Sequence, residues 1–280
     1  MSEAVLYVVA TPIGNLGDMT PRAIEVLKQV EVIAAEDTRH SRRLLNHFGI
    51  GTPLLSCHEH NERQQAEKLL ARLQQGDSVA LISDAGTPLI SDPGYFLVRT
   101  VREAGVKVVP VPGASAIIAA LSVSGLATDR FFFEGFLPAK SSGRKKRLAE
   151  LADFSCTWAC YESTHRISDS LKDFAEVLGG SRYIVLAREM TKTFETVLAG
   201  TISEVMACLE DDSNQCKGEF VLLVEGKREE TGQLIDKTTR ELLARLLQEL
   251  PIKKAAAVVA DLSGHRKKEL YDLALTLKDS

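Results

Sequence analysis

A chain of 280 residues, 45% of them hydrophobic and 26% charged, has the composition of a globular protein of about two domains. The formal net charge of −4 gives no general sign of nucleic-acid binding, and no apolar run reaches the roughly 18 residues of a membrane span. The five cysteines form no Cys-x-x-Cys pair, which disfavours both a disulfide framework and a zinc site. We therefore expect a soluble cytoplasmic protein with reduced cysteines and no metal, since residues 1–11 also lack a basic signal-peptide segment.

The first half of the chain alternates short buried strands with amphipathic helices. Strands are predicted at residues 5–10, 31–35, 53–56, 78–82 and 106–111. Helices are predicted from Pro21, with Thr20 as N-cap, and at residues 42–48, 61–74, 93–104 and about 116–124. This alternation predicts an α/β domain with a mostly parallel, doubly wound sheet.

The segment Ser83–Gly94, with the sequence S-D-A-G-T-P-L-I-S-D-P-G, directly follows the strand at residues 78–82. Ligands of open α/β sheets bind outside the carboxyl ends of the strands, so its small and polar residues predict a binding loop. Asp92 and Pro93 are instead interpreted as the N-cap and first residue of the next helix. Similar turns follow the other strands near Thr11, Glu36 and Pro112.

The second half has strands at residues 131–136, 156–161, 183–188, 194–198 and 220–225. Only residues 189–193 separate two of them, so this second α/β sheet should be mixed. A polar, linker-like stretch over 229–237 precedes three short helices at residues 239–249, 253–262 and 266–278, whose last pair fits a helix-turn-helix or a plain hairpin. We expect domains at 1–125, 126–228 and 229–280.

Common catalytic motifs are missing from the sequence. Pro12 stands where a dinucleotide site would need an N–H donor, and neither a phosphate-binding G-x-x-x-x-G-K-[ST] loop nor a G-x-S-x-G nucleophile elbow occurs. His58-Glu59-His60 is interpreted as a polar loop rather than a metal site. Small-residue loops without metal ligands or a nucleophile suit a compact cofactor that carries its own activation.

Six motifs, in order along nearly the whole chain, resemble the ribosomal RNA small subunit methyltransferase I family, a branch of the tetrapyrrole-methylase-like enzymes. They are Thr11–Leu16, Ala35–Arg39, Ser83–Pro88, Glu134–Pro138, Tyr161–Arg166 and Ala187–Lys192. Residues 253–278 resemble the C-terminal extension of that family. The resemblance implies a homodimeric, S-adenosylmethionine-dependent enzyme that methylates a cytidine 2′-oxygen in the decoding region of 16S ribosomal RNA, within the small subunit. It also implies that the active site is a cofactor cleft flanked by the two α/β domains.

The same resemblance implies which residues contact the cofactor. On the first domain they are Pro12, Ser83, Asp84, Ala85, Gly86, Thr87, Ala114 and Ser115. On the second domain they are Phe133, Tyr161, Ala187 and Gly218, around the adenosyl group.

Transfer from a sulfonium needs positioning and an activated nucleophile rather than a metal. A ribose hydroxyl must lose its proton or have its developing charge stabilised, and the candidates for this catalytic role are Glu36, Glu162, Glu189 and Lys192. Arg39, Arg166 and Arg188 are expected to hold phosphates.

Structural alternatives stay open for these residues. Glu36-Asp37 could cap a helix, Arg166 could pair with Glu162 or Asp169, and Arg188 could form a surface pair with Glu189. The basic stretches 140–147 and 253–268 are expected to contact RNA phosphates.

Two other functions remain open at this stage. The same fold could methylate a small molecule or a protein side chain, or the chain could be a non-catalytic RNA-binding assembly factor that retains a cofactor pocket. The basic, helical C-terminal extension favours the RNA functions over the small-molecule one.

Overall fold

The computed structural model describes residues 4–227 and 235–278. The chain divides after Lys227 into a larger and a smaller compact unit. The predicted polar linker at residues 229–237 falls mostly outside the described residues. No helix within the described ranges is both long and apolar enough to cross a membrane.

The first sheet of the larger unit is entirely parallel, with strand order β3-β2-β4-β1-β5. Its strands are β1 (Val5–Val9), β2 (Val32–Ala35), β3 (Leu54–Ser56), β4 (Val79–Ile82) and β5 (Lys107–Val111). Its helices are α1 (Pro21–Gln29), α2 (Thr38–His47), α3 (Glu62–Gln74), α4 (Tyr95–Glu103) and α5 (Ala116–Val123). The predicted Thr20 cap is confirmed, because its side chain accepts a hydrogen bond from the Ala23 N–H.

Alternate residues of the first sheet build two cores. Ile33 and Ile82 pack with Leu27 and Leu45 of α1 and α2. Val79 and Leu81 lie on the opposite face, in a core with residues of α3 and α4 that include Leu69, Leu97 and Val101. Helices therefore cover both faces, and the predicted doubly wound architecture is confirmed.

The second sheet has the order β6-β7-β10-β8-β9 and is mixed, as predicted, with only β6 and β7 parallel. Its strands are β6 (Phe131–Phe136), β7 (Thr157–Ser163), β8 (Tyr183–Arg188), β9 (Thr196–Thr201) and β10 (Glu219–Val224). The helices α6 (Ser141–Leu151), α7 (Ile167–Leu178) and α8 (Ile202–Asp211) contribute to the core on one face.

Helix α5 joins the two halves of the larger unit. Its residues Ile117, Ala120 and Leu121 share a core with Val185 and Val221 of the second sheet. This places the carboxyl edge of the first sheet beside the second sheet. The predicted division into domains at residues 125/126 stays a prediction.

Two helices of the first sheet begin elsewhere than predicted. Helix α2 begins at Thr38 rather than residue 42, because Asp37 Oδ1 accepts hydrogen bonds from the Arg39 and His40 N–H groups at 2.8 and 3.3 Å. The alternative in which Glu36-Asp37 caps this helix is thus confirmed for Asp37.

The interpretation of Asp92 as N-cap and Pro93 as first helical residue was wrong. Helix α4 begins at Tyr95, after Gly94 at φ 133°. Its N–H groups are capped from helix α3, where Glu62 Oε1 accepts hydrogen bonds from Gly94 at 3.0 Å and Phe96 at 2.6 Å. Since Glu62 supplies the cap, Asp92 remains in the loop that precedes the helix.

The smaller unit contains α9 (Lys237–Leu246), α10 (Ile252–Ser263) and α11 (Lys267–Lys278). Leu243, Val259 and Leu270 meet in its core, each fully buried. Gly264 ends α10 in the left-handed conformation, with φ 74°, at the predicted turn. The three predicted helices are therefore present.

Candidate functional site

A cavity of about 570 Å³ lies between the carboxyl edge of the first sheet and the second sheet. From the first half it is lined by Ile13, Ala85, Gly86, Thr87, Ile90, Ser91, Asp92, Ser115 and Ala116. From the second half it is lined by Phe136, Tyr161, Glu162, Ser163, Thr164, His165, Ala187, Glu189, Met190, Lys192, Gly218, Glu219, Phe220 and Val221. The two sheets thus enclose one site, which we call the main cavity.

Backbone contacts hold the loops after β1, β4 and β5 together at the first wall. The Thr11 N–H donates to the Gly86 carbonyl at 2.8 Å, and the Gly86 N–H donates to the Thr11 carbonyl at 3.0 Å. Gly86 has φ 79°, and a β-carbon there would lie 3.2 Å from Ile13 Cγ2. The Thr87 hydroxyl donates to the Ala114 carbonyl at 2.9 Å. These contacts fix the backbone of this wall of the cavity.

The opposite wall contains the loop that connects β8 to β9. Glu189 and Thr191 adopt left-handed φ values of 50° and 66°, which residues other than glycine rarely adopt. Gly218 lies so close to Glu189 that any side chain there would collide with it. Strained backbone of this kind persists only where surrounding contacts impose it, and it concentrates at functional sites.

Lys192 Nζ donates hydrogen bonds to Glu189 Oε1 at 2.8 Å and to Glu219 Oε2 at 3.0 Å. Partial burial favours a lower pKa for Lys192, but the two carboxylates outweigh it and raise the pKa above its ordinary value. For Glu189, burial opposes ionisation, yet hydrogen bonds from Lys192 and the Glu219 N–H lower its pKa. Lys192 therefore carries a positive charge at neutral pH, which suits charge stabilisation rather than proton abstraction.

Four carboxyl groups lie close together, those of Glu36, Asp37, Asp84 and Asp92, and of these only Asp92 lines the main cavity. Burial, followed by the charges of Asp92, Asp84 and Asp37, raises the pKa of Glu36 from 4.5 to about 7. Burial and the charge of Asp84 also raise the pKa of Asp92, although a hydrogen bond with Ser83 acts in the opposite direction. Within the described residues, neither Glu36 nor Asp92 has an ion-pair partner. A carboxylate whose pKa is about 7 is able to accept a proton from a substrate at neutral pH.

The predicted cofactor residues fall into two groups. The first group lines the main cavity and comprises Ala85, Gly86, Thr87, Ser115, Tyr161, Ala187 and Gly218. The second lies behind or beside it: Ser83, Ala114 and Phe133, with Pro12 and Asp84 at a second cavity. Ser83 is buried beneath the binding loop, and the Phe133 ring packs edge-on against Tyr161 at 5.0 Å between ring centres. Of these five residues, Pro12 and Asp84 line a cavity, and the cofactor role of all five stays a prediction.

Glu162 touches the main cavity, yet its carboxylate is engaged in structural contacts. Glu162 is only 3% exposed, Oε2 accepts from the Ser170 hydroxyl at 2.5 Å, and Oε1 lies 3.1 Å from Arg166 Nε. Arg166 also donates to the Leu137 carbonyl at 2.7 Å. The alternative of an Arg166–Glu162 pair is confirmed, and the geometry does not support a phosphate contact by Arg166.

The expectations for Arg188 need correction. Arg188 is buried, and it donates through Nε to the Lys217 carbonyl at 2.6 Å and through Nη1 to the Phe194 carbonyl at 2.8 Å. Its guanidinium thus fixes the loop carrying Glu189 and Lys192, and it forms neither a surface pair nor an open phosphate site. Arg39, by contrast, has a side chain 93% exposed, with Nε 3.7 Å from Asp37.

The basic stretch at residues 140–147 is less available to RNA than the sequence suggested. Arg144 is buried and pairs with Asp173 at 2.6 Å. Lys145 pairs with Glu176 at 2.6 Å, and Arg147 pairs with Glu134 at 2.6 Å. In the C-terminal stretch, Lys253, Lys254, Lys267 and Lys268 are exposed. The expected RNA surface is thus better supported in the smaller unit.

Two parts of the site escaped the sequence-based analysis. The first is Asp92, which the sequence pattern assigned to a helix cap. Glycine is also a common N-cap residue, so Gly94 was an alternative that the sequence offered for the start of this helix. The other is the second cavity, of about 420 Å³, which lies against helix α2.

Comparison with protein families gives two matches. The model described as Tetrapyrrole (Corrin/Porphyrin) Methylases matches residues 5–206, and the model described as RsmI C-terminal HTH domain matches residues 233–278. Together they cover both compact units.

Several similar sequences bear the name Ribosomal RNA small subunit methyltransferase I. The relative from Haemophilus influenzae is 56% identical over 272 residues, which cover 97% of this chain and 96% of the relative. The relative from Escherichia coli O157:H7 is also 56% identical, over 98% of this chain and 96% of its own length. The relative from Pseudomonas aeruginosa is 54% identical over 98% of both chains.

Solved structures show the same fold at low sequence identity. A cobalt precorrin-4 methyltransferase superposes with a TM-score of 0.57 at 19% identity, over 80% of this chain and 95% of that chain. Diphthine synthase gives a TM-score of 0.57 at 15% identity, over 80% of this chain and 90% of that chain. At these identities the likeness concerns the fold alone.

Proposed function

The chain belongs to the ribosomal RNA small subunit methyltransferase I family, and from this premise we propose that it methylates the 2′-oxygen of a cytidine in 16S ribosomal RNA, with S-adenosylmethionine as donor. The observation that carries the proposal is the identity of 54–56% to relatives of that name over 96–98% of their length. The match covers 97–98% of this chain, and the C-terminal unit also matches the RsmI C-terminal HTH domain model.

The main cavity has properties that fit S-adenosylmethionine. Its volume of about 570 Å³ lies within the range of roughly 300–1,000 Å³ typical of small-molecule sites. Gly86 and Gly218 line the cavity without side chains of their own, and Tyr161 and Met190 supply apolar wall. Asp92 adds a carboxylate without a cationic partner in the described residues, which suits a positively charged sulfur. When bound, the cofactor supplies a methyl group on a good leaving group.

We propose that Glu36 and Asp92 together accept the proton of the ribose hydroxyl. Asp92 lines the cavity, and burial together with the charge of Asp92 raises the pKa of Glu36 to about 7, so a proton added to this pair is retained near neutral pH. Lys192 lines the same cavity from the opposite wall and holds a positive charge toward it. It is placed to stabilise the negative oxygen that forms as the proton leaves.

Two further features belong to the proposal. We propose that two copies of the chain associate, since Ile118 and Val123 of α5 are each 54% exposed and offer apolar surface to a second copy. We also propose that the protein acts in the cytoplasm, where small ribosomal subunits are found. Light scattering at micromolar concentration tests the first point, with twice the monomer mass of 30.6 kDa as the expected result.

The alternative functions are a small-molecule or protein methylase and a non-catalytic RNA-binding factor. The experiment that separates them is mass-spectrometric mapping of ribose methylation in 16S ribosomal RNA from cells with and without the gene. The proposal predicts one 2′-O-methylcytidine that disappears with the gene. It returns with the intact gene and fails to return with an Asp92→Asn variant that is expressed at the same level. An unchanged methylation map would reject the proposal.

A further inference from the structure

A second cavity of about 420 Å³ adjoins the main cavity. The two share Ile13, Ala85, Lys192 and Glu219 as lining residues, so they meet where the loops after β1, β4 and β8 approach the start of β10. Helix α2 forms the outer wall of this second cavity, which we call the α2 groove. The proposed function assigns no role to the groove, although it adjoins the main cavity.

Helix α2 is basic along its whole length. Its sequence, T-R-H-S-R-R-L-L-N-H, contains three arginines, two histidines and no acidic residue, in a chain with a net charge of −4. His40, Arg43, Leu44 and His47 line the groove. Their spacing of three, four and seven residues places them on one face of the helix.

The cationic face of α2 is available to a ligand. Arg43 is exposed, and no carboxylate in the described ranges lies within the 4.0 Å of an ion pair with it. This distinguishes it from Arg144 and Arg147, whose charges are neutralised by Asp173 and Glu134. An exposed arginine without an acidic partner is the group best suited to bind a phosphate through two parallel hydrogen bonds.

The distribution of charge along the groove is uneven. Asp84 and Glu219 lie among its lining residues, and Glu219 also borders the main cavity, whereas the α2 side carries the positive groups. Leu16 and Leu44 add apolar surface between them. Cationic side chains along one side of a groove are suited to the phosphates of a nucleic-acid strand.

We propose that the α2 groove binds the phosphodiester backbone of the RNA strand next to the methylated nucleotide, with Arg43 as its principal phosphate ligand. This inference rests on the proposed function, because it takes ribosomal RNA as the substrate. It assigns to α2 the task of positioning the strand while the target ribose occupies the main cavity.

The test compares wild-type protein, Arg43→Gln and Arg102→Gln. Arg102 is a matched control, because it is an exposed arginine at the end of α4, where the chain leads to the amino-terminal edge of the first sheet. The affinity of each full-length protein for small ribosomal subunits that lack the methyl group is measured at several salt concentrations. The same measurement is repeated with deproteinised 16S ribosomal RNA, and S-adenosylmethionine affinity is measured separately.

Arg43→Gln is expected to weaken binding to subunits and to free RNA about tenfold, consistent with loss of a charge-assisted hydrogen bond. The magnitude of the slope of log affinity against log salt concentration should fall by about 1, which corresponds to the loss of one phosphate contact. The KM for subunits should rise while kcat and cofactor affinity stay within about twofold of wild type. Arg102→Gln should match wild type in every measurement.

Three outcomes would overturn the inference. An unchanged salt slope and affinity in Arg43→Gln would remove the phosphate contact. Weaker binding to subunits with unchanged binding to free RNA would indicate that the groove contacts a ribosomal protein instead. Loss of cofactor affinity would assign the groove to the cofactor site. Wild-type protein that transfers no methyl group to RNA would instead reject the proposed function.

Discussion

The aliphatic part of the Lys192 side chain packs against the α-carbon of Gly14. This contact links the loop after β8 to the loop after β1. A β-carbon at Gly14 would overlap Lys192 Cγ, and Gly14 also adopts φ 150°, a conformation that disfavours other residues. The position of the Lys192 ammonium, between Glu189 and Glu219, therefore depends on the absence of a side chain at residue 14.

Replacement of Gly14 by alanine is expected to displace Lys192 and lower kcat for methyl transfer about tenfold or more, since small shifts of positioned groups have large kinetic effects. Gly51→Ala is the matched control, because nothing lies within 4 Å of a β-carbon there. Steady-state kinetics with small subunits measures the difference. Equal kcat for the two variants would show that Lys192 need not be held in this position.

Replacement of Lys192 by methionine separates charge stabilisation from proton abstraction. We expect kcat to fall about 100-fold, as when one stabilising donor is removed from an active site. The lower limb of the kcat–pH profile should remain near pH 7, because we assign it to Glu36 and Asp92. Lys192→Arg, which keeps the charge, should recover part of the activity. Disappearance of that limb in Lys192→Met would identify Lys192 as the base.

Glu36 should make both activity and stability depend on pH. Its pKa of about 7 in the folded protein predicts that kcat rises with pH through 7, as the carboxylate becomes able to accept a proton. Glu36→Gln should lose this limb and most of its activity. A profile that is flat between pH 5 and pH 8, with activity retained in Glu36→Gln, would exclude Glu36 as an acceptor.

The effect of Glu36 on stability has the opposite sign. The folded carboxyl group retains its proton up to about pH 7, whereas the unfolded one releases it near 4.5, so the free energy of unfolding decreases as pH rises between these values. Above pH 7 the destabilisation is complete. Because Glu36 is partly exposed and solvent screens its charge, this destabilisation amounts to only about 1 kcal/mol. Urea denaturation should therefore show Glu36→Gln more stable than wild type at pH 8 and equal to it at pH 4.

Glu62 links helix α3 to the start of α4 and should be important for stability. Its carboxylate is 5% exposed and accepts hydrogen bonds from Gly94, Phe96 and Leu97. Glu62→Ala leaves these buried N–H groups unpaired, and we expect a loss of about 3 kcal/mol in the free energy of unfolding. Glu67→Ala, at an exposed position of the same helix, should change stability by less than about 0.5 kcal/mol. Similar values for both variants would contradict the capping role.

The sequence was sufficient for the features that depend on local pattern. Buried β-branched runs predicted the strands within a few residues, and their alternation with helices predicted a parallel first sheet. The short segment between β8 and β9 predicted the mixed second sheet. The small-residue loops at strand ends also predicted a site at the carboxyl edge, where Ala85, Gly86 and Thr87 line the main cavity.

What the sequence did not predict depends on partners far away along the chain. Glu62 caps a helix whose N-cap residue, Gly94, lies 32 residues after it, in place of Asp92. Arg144 lies 29 residues before Asp173, and Arg147 lies 13 residues after Glu134, so a basic stretch became a set of ion pairs. Arg188 satisfies two backbone carbonyls of loops that only the fold brings together. Such pairings require the tertiary structure, because no local pattern specifies them.

The most direct test of the account is a single-turnover reaction between purified protein, S-adenosylmethionine labelled in its methyl group, and small ribosomal subunits from cells that lack the gene. After transfer, the RNA is digested to nucleosides and the label is identified. The account predicts one labelled 2′-O-methylcytidine per subunit, together with the Glu36-dependent rise of the rate through pH 7. Absence of label from RNA, or label on a base rather than a ribose, would contradict it.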